Sequence, residues 1–269
     1  MTTSSITTAR DASSTIGRSL QSLNFVDERI VVVDSASTDL TAQIAEQCGA
    51  RVLTLPWRGY GQQKNAAADV ARGQWLLYID ADEEVTPALA RAISKALASN
   101  TANDSHRSIY WLRIVTIFLG RPLKHLYGHN PRLMRKNAAR WTPANVHEQV
   151  VRLNTNNSPP VKLGDPDTVL ITEPLIHYSH HTIRSYLDKM HRYTALDAEY
   201  MARGGRHRSG RRVQPRWWLP YYLAARQLFK LLFYRRGILD GYAGVIWCLL
   251  SAYYEWEMGK KYKKMTKPQ

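Results

Sequence analysis

Two carboxylates spaced two residues apart, Asp80 and Asp82, stand at the end of the apolar run Trp75-Leu76-Leu77-Tyr78-Ile79, and Glu83 and Glu84 follow directly. In an extended chain residues i and i+2 point to one side, so this spacing presents both aspartates together at a strand's carboxyl end. Such a pair can hold a hard divalent cation, Mg2+ or Mn2+, whose other ligands are water and substrate phosphates. The same acidic cluster also suits a helix N-terminus, because Thr86-Pro87 and a helical pattern come next. Glu83 and Glu84 keep that capping role open.

The elements that must position these groups alternate between strand and helix. Strands are expected over 5–9, over the buried run Ile30-Val31-Val32-Val33, over 50–57 and over 75–79, with helices over 41–48, 64–72 and 86–99. This β/α alternation predicts an α/β fold with a largely parallel sheet, whose ligands collect beyond the carboxyl ends of the strands. Asp34, Asp39, Asp80 and Asp82 all fall there. Further strands are expected over 109–119, 132–151 and 170–178, a long helix over 182–202, and a basic flexible link over 204–212.

Four acidic residues at strand ends, with Lys64 on a nearby helix, suggest a nucleotide diphosphate site. The chain has neither GxGxxG nor GxxxxGK[ST], so the phosphates must be held through a metal, which points to a nucleotide-sugar donor. Two cysteines, Cys48 and Cys248, offer neither a disulfide framework nor a Cys-based zinc site and fit a reducing cytosol. The N-terminus lacks the build of a secretory signal. His177, His180 and His181 have no HExxH frame and are read as structural or acceptor-side groups.

The net charge of +15 is concentrated at one end: residues 201–269 hold 15 Lys/Arg against 3 Asp/Glu. Two apolar, aromatic-rich stretches, 217–234 and 241–254, precede Lys260-Lys261-Tyr262-Lys263-Lys264. Arg226 and Lys230 interrupt the first and the second is too short, so neither suits a bilayer span, and their fringe of Trp, Tyr, Lys and Arg suits an anionic membrane surface. A helical cap on the α/β domain or a homo-oligomer contact would use the same residues. A nucleic-acid partner is disfavoured by the long aliphatic runs among the aromatics.

Val31-Val32-Val33-Asp34-Ser35-Ala36-Ser37-Thr38-Asp39, then PWRGYGQQKNAA (56–67), WLLYIDADEEVTP (75–87), RLMRK (132–136) and NVHEQ (145–149) occur in an order and spacing that resembles bacterial family 2 inverting glycosyltransferases. The likeness is to the lipopolysaccharide core β-glucosyltransferase branch, the WaaE/KdtX-like proteins, and covers about Ile6 to Met258. It implies a GT-A fold over 1–203, with a nucleotide-sugar half (about 1–100) and an acceptor half (about 101–203), followed by a basic, membrane-associating helical region over 204–269. It further implies a UDP-sugar donor bordered by Thr8, Arg10, Asp34, Asp39, Lys64 and Asp80; a divalent metal on Asp80 and Asp82; and Glu148 as the general base. Arg132, Arg135 and His147 match the acceptor or diphosphate side.

The implied activity is metal-dependent transfer of a hexose, glucose from UDP-glucose, to a saccharide of lipopolysaccharide core or another lipid-linked glycan. The implied place is the cytoplasmic membrane's inner face, held peripherally. A polyprenyl-phosphate glycosyltransferase and a non-catalytic scaffold are the alternatives. A glycosidase is a poor match, since it needs a carboxylic acid flanking the bond and metal-bound aspartates cannot serve as one.

Overall fold

The computed structural model describes residues 1–99, 107–143, 148–153, 158–180 (for His180 the backbone alone) and 182–266. Its contacts divide the chain into two compact units, Met1–Ile114 with Gly128–His177, and Val115–Tyr127 with Tyr178–Gln269.

The first unit opens with β1 (Thr3–Ala9), α1 (Ile16–Gln21), β2 (Glu28–Asp34), α2 (Thr41–Gln47), β3 (Arg51–Leu55), α3 (Tyr60–Val70), β4 (Trp75–Tyr78), β5 (Glu83–Val85) and α4 (Pro87–Ser99). The chain continues with β6 (Ile109–Phe118), whose far end, like β7 (Arg121–Pro122) with which it pairs, falls in the second unit, then β8 (Gly128–Arg135), β9 (Ala139–Trp141), β10 (Val150–Arg152) and β11 (Thr168–His180), all but the last residues of β11 in the first. Among the described residues one sheet runs β3-β2-β1-β4-β8-β6-β11-β5. Its pairings are parallel from β3 to β4 and antiparallel from β4 to β8, β8 to β6 and β11 to β5. β9 and β10 make a separate antiparallel ribbon.

The expected α/β alternation is observed, and its cause is visible in the core. Alternate residues of β2 and β4 feed two apolar layers: Val31, Val33 and Leu77 enter one, Ile30, Val32, Leu76 and Tyr78 the other. Both faces of the sheet are covered, so its central strands read as unbroken apolar runs.

Glu83 and Glu84 do not cap a helix. They form β5 and pair with β11, and the cap of α4 is Thr86, whose hydroxyl accepts from Leu89 N at 3.2 Å. Helix α3 begins four residues before Lys64, which sets Lys64 in the helix interior rather than at its start.

The second unit contains α5 (Ile183–Gly204), α6 (Leu219–Phe229), a π turn (Lys230–Tyr234), a 3-10 turn (Gly237–Asp240) and α7 (Gly241–Met265). Ala198 and Met201 of α5 pack with Leu219, Leu223, Met258 and Tyr262, so α5 belongs to this unit. The 204–212 segment, expected as a flexible link, is folded. Arg206 bridges Arg212, and His207 and Arg208 both reach the buried Glu255, at 3.0 and 2.7 Å. Helix α7 outruns the expected stretch because Cys248, Ser251, Ala252, Glu255, Met258, Gly259 and Tyr262 keep one buried face through a polar sequence. No helix among the described residues is long and apolar enough to cross a membrane.

Candidate active site

Parallel pairing aligns the carboxyl ends of β1, β2 and β4 on one edge. Ala9 stands opposite Val33, and Ile6 opposite Tyr78, so Arg10 just after β1, Asp34 at the end of β2 and Asp80 just after β4 emerge together. Loops at such an edge are free to carry chemistry while the strands hold them rigid.

Lys64 lies at the centre of the cluster. Its side chain is 5% exposed, and its ammonium sits 2.8 Å from Glu148 Oε1, 3.8 Å from Asp80 Oδ1 and 4.4 Å from the Trp141 ring centroid. One face of α3 builds this contact. Asn65 Nδ2 donates to the Trp141 carbonyl at 2.8 Å, and Asn65 Oδ1 accepts from Trp141 N at 3.2 Å. At Gly61, a Cβ would come 2.0 Å from the Thr142 carbonyl oxygen. Glycine, lysine and asparagine at i, i+3 and i+4 therefore bring the segment carrying Glu148 against the helix.

Asp80 is clamped from the other side. Arg132, on β8, donates to Asp80 Oδ2 at 2.8 Å and to Glu83 Oε1 at 2.5 Å, and Glu83 accepts from Asp80 N at 2.9 Å. Burial raises the carboxyl pKa of Asp80, but Arg132 and Lys64 overcome it and hold the group well below the usual carboxylate range. Glu83 shares the same guanidinium. Burial, reinforced by the charge of Asp80, pushes its pKa up despite Arg132.

Asp82 faces His177, with Nε2 3.3 Å from Oδ2. The contact is made by the antiparallel pairing that sets His177 opposite Glu83. Burial works against the charged imidazole, but the bond to Asp82 and the neighbouring carboxylates outweigh it, and the His177 pKa is raised. Among the described residues no three His, Cys, Asp or Glu side chains converge as a closed metal site. The donor set at hand, one carboxylate oxygen and one imidazole nitrogen, fits a cation that takes its remaining ligands from a diphosphate and water. Asp80, occupied by Arg132 and Lys64, stands beside that pair.

The nucleotide-side residues gather at β1 and β2. Asp34 is 2% exposed; its Oδ1 accepts from Ala36 N at 3.0 Å, and Arg10 approaches Oδ2 at 3.2 Å without hydrogen-bond geometry. Oδ2 of Asp34 and Oγ1 of Thr8 are buried without a hydrogen-bond partner. Asp39 is engaged within its own loop. It accepts from Ser13 N, Thr41 N and the Thr41 hydroxyl, which hold its pKa below the ordinary value although burial opposes them.

The structure thus brings together Lys64, Glu148, Asp80 and Arg132, and separately Thr8, Arg10 and Asp34. Arg135 is not in this cluster: it pairs with Trp75 at the start of β4, its guanidinium 5.0 Å from that ring. His147, with Asn145, Val146 and His181, lies outside the described residues. Two participants, Glu83 and His177, are expected from the sequence in other roles, Glu83 as a candidate helix cap and His177 as a structural or acceptor-side group. Both depend on the β5–β11 pairing, which joins segments about ninety residues apart and leaves no local signal.

The chain is similar to several known proteins. An uncharacterized glycosyltransferase of Rickettsia felis is 28% identical over 246 residues, 88% of this chain and 81% of that protein. The lipopolysaccharide core biosynthesis glycosyltransferase LpsC of Rhizobium meliloti is 27% identical over 259 residues, 88% of this chain and 85% of its own length. Among solved structures, S. aureus TarS residues 1–349 in complex with UDP is 16% identical with a TM-score of 0.48, covering 100% of this chain and 93% of that one. Against a longer TarS chain the coverage is 98% and 54%, at a TM-score of 0.47. Residues 4–152 match the profile of Glycosyl transferase family 2, and the chain belongs to that family.

Proposed function

We propose that this glycosyltransferase moves a hexose, glucose from UDP-glucose, with inversion onto a saccharide of lipopolysaccharide core or another lipid-linked glycan. It would do so at the inner face of the cytoplasmic membrane, held there peripherally. The observation that carries the reading is the contact of one buried lysine with two carboxylates of different employment, Glu148 and the strand-end Asp80.

In this reading Glu148 takes the proton of the acceptor hydroxyl, and Lys64 stabilises the negative charge that grows on the departing diphosphate. Arg132 acts one step back, holding Asp80 in place. The Thr8 hydroxyl and the Asp34 oxygen, neither of which makes a hydrogen bond, supply polar groups for the nucleoside, and Arg10 borders them, paired with Asp34. Asp82 and His177 would hold Mg2+ or Mn2+, which when bound neutralises diphosphate charge. The kinship with LpsC supports the acceptor class.

The test is Glu148→Gln. Transfer to acceptor should be lost while UDP binding, followed by calorimetry, is kept. Full transfer by this variant would remove Glu148 from the base role. Release of UDP from a panel of UDP-sugars, in the presence of a lipid extract, identifies the donor.

A further inference from the structure

Helices α6 and α7 form an antiparallel hairpin within the second unit. Its base is closed by Leu219 and Leu223 against Met258 and Tyr262, and by Gly259, where a Cβ would lie 2.9 Å from Pro220 Cα. Its tip, residues 229–242, is tied down. Asp240 accepts from His125 N at 3.1 Å and Leu126 N at 3.2 Å and lies 2.8 Å from His125 Nδ1; Arg235 donates to the Tyr127 carbonyl. Gly237 is buried against Cys248, leaving no room for a side chain.

This anchored tip displays what a solvent-facing turn ordinarily hides. Phe229, Phe233, Tyr234, Ile238, Leu239 and Tyr242 are each more than half exposed, Tyr234 at 79%. The Phe229 and Phe233 rings lie against each other at 5.3 Å on the outside of the hairpin. Lys230 and Arg236 are exposed beside them. From Trp217 to Leu239 the sequence carries four basic residues and no acidic one, and Asp240, the first acid after them, is turned inward.

We infer that the α6–α7 tip is a docking surface for an anionic lipid bilayer. The rings and the Ile238-Leu239 pair enter the boundary between headgroups and acyl chains, while Lys230 and Arg236 meet lipid phosphates. A second copy is the poorer occupant, because a two-fold contact through this patch would face like charges with no carboxylate between them. Nucleic acid would leave the aliphatic side chains without apolar cover. The surface gives a membrane address to the transferase reading above, on which its purpose rests, and it accounts for attachment without a spanning helix.

Co-flotation of the full chain with phosphatidylcholine vesicles, with and without phosphatidylglycerol, tests it. The protein should float with the anionic vesicles and only weakly with the neutral ones. Phe229→Ser/Phe233→Ser/Tyr234→Ser should weaken anionic-vesicle binding roughly tenfold or more. Lys230→Glu/Arg236→Glu should do the same and remove the preference for anionic lipid. Thermal melts of both variants confirm that they are folded.

Failure of the wild-type chain to bind phosphatidylglycerol vesicles overturns the inference, as does wild-type binding by both variants. A dimer that the serine variant dissociates, with no vesicle binding, assigns the tip to a second copy and also overturns it. UDP release from the UDP-sugar panel, measured with a detergent-solubilised lipid extract as acceptor and no vesicles, is the separate check. Intact release without docking refutes only the tip, and docking without release refutes only the transferase reading.

Discussion

Lys64 and Glu148, 84 residues apart in sequence, meet at 2.8 Å through an ammonium that also stands 3.8 Å from Asp80. The cation is shared between the segment assigned to the acceptor and the strand end assigned to the donor. Replacing it should therefore disturb both. For Lys64→Met we expect transfer efficiency to fall roughly a hundredfold, with the donor KM raised and kcat lowered together. Steady-state kinetics at varied UDP-sugar concentration measures the two parts, and a change confined to the donor KM would dissociate Lys64 from Glu148.

Gly61→Ala tests whether the approach of α3 to Thr142 positions Glu148. The new Cβ meets a backbone carbonyl oxygen at 2.0 Å, so helix or segment must shift. Destabilisation of about 1–3 kcal/mol is expected from such overpacking, with transfer reduced more strongly than UDP binding. Denaturant unfolding and UDP calorimetry on the same preparation separate the two effects.

Asp82→Ala and His177→Ala should each weaken the dependence of UDP binding on Mg2+ or Mn2+, because each removes one of the two donors that face each other at 3.3 Å. Binding of UDP titrated with and without the metal reports it. Equal metal dependence in both variants and the wild type would move the cation elsewhere.

In the second unit, Glu255 offers a pH test. Burial raises its carboxyl pKa, but the bonds from His207 and Arg208 outweigh burial and bring it below the ordinary 4.5. A carboxylate with a depressed folded pKa contributes stability that is fully present above its unfolded value and is lost as the pH falls through the folded one. Melting temperature should accordingly decline below about pH 4.5 in the wild type. It should do so less steeply in Glu255→Gln, which starts roughly 3 kcal/mol lower from loss of a buried ion-pair partner.

The legible part of this architecture was local. Runs such as Ile30-Val31-Val32-Val33 announce a strand buried on both faces, and the acid after each run marks the rim; Asp34 and Asp80 stand there. Lys64 could be put on a helix but not into the space between Glu148 and Asp80, since nothing in 60–70 encodes the approach of Trp141, Thr142 and Glu148. Glu83 read as a cap because helix N-termini attract acids, yet long-range pairing with β11 pulled it into the sheet and onto Arg132. The basic 204–212 segment looked like a solvated linker for a related reason. Its partner, Glu255, is 47 or more residues further on and sat in what read as the polar end of an apolar stretch.

Asp34 Oδ2, which has the Arg10 guanidinium 3.2 Å away but accepts no hydrogen bond, and the Thr8 hydroxyl at the rim have a consequence for recognition. A buried carboxylate oxygen that accepts no hydrogen bond penalises mismatches asymmetrically: a ligand that presents an N–H or O–H satisfies it, and one that presents only a lone pair is repelled by it. The rim would then discriminate among nucleosides by rejection, refusing those whose edge cannot donate.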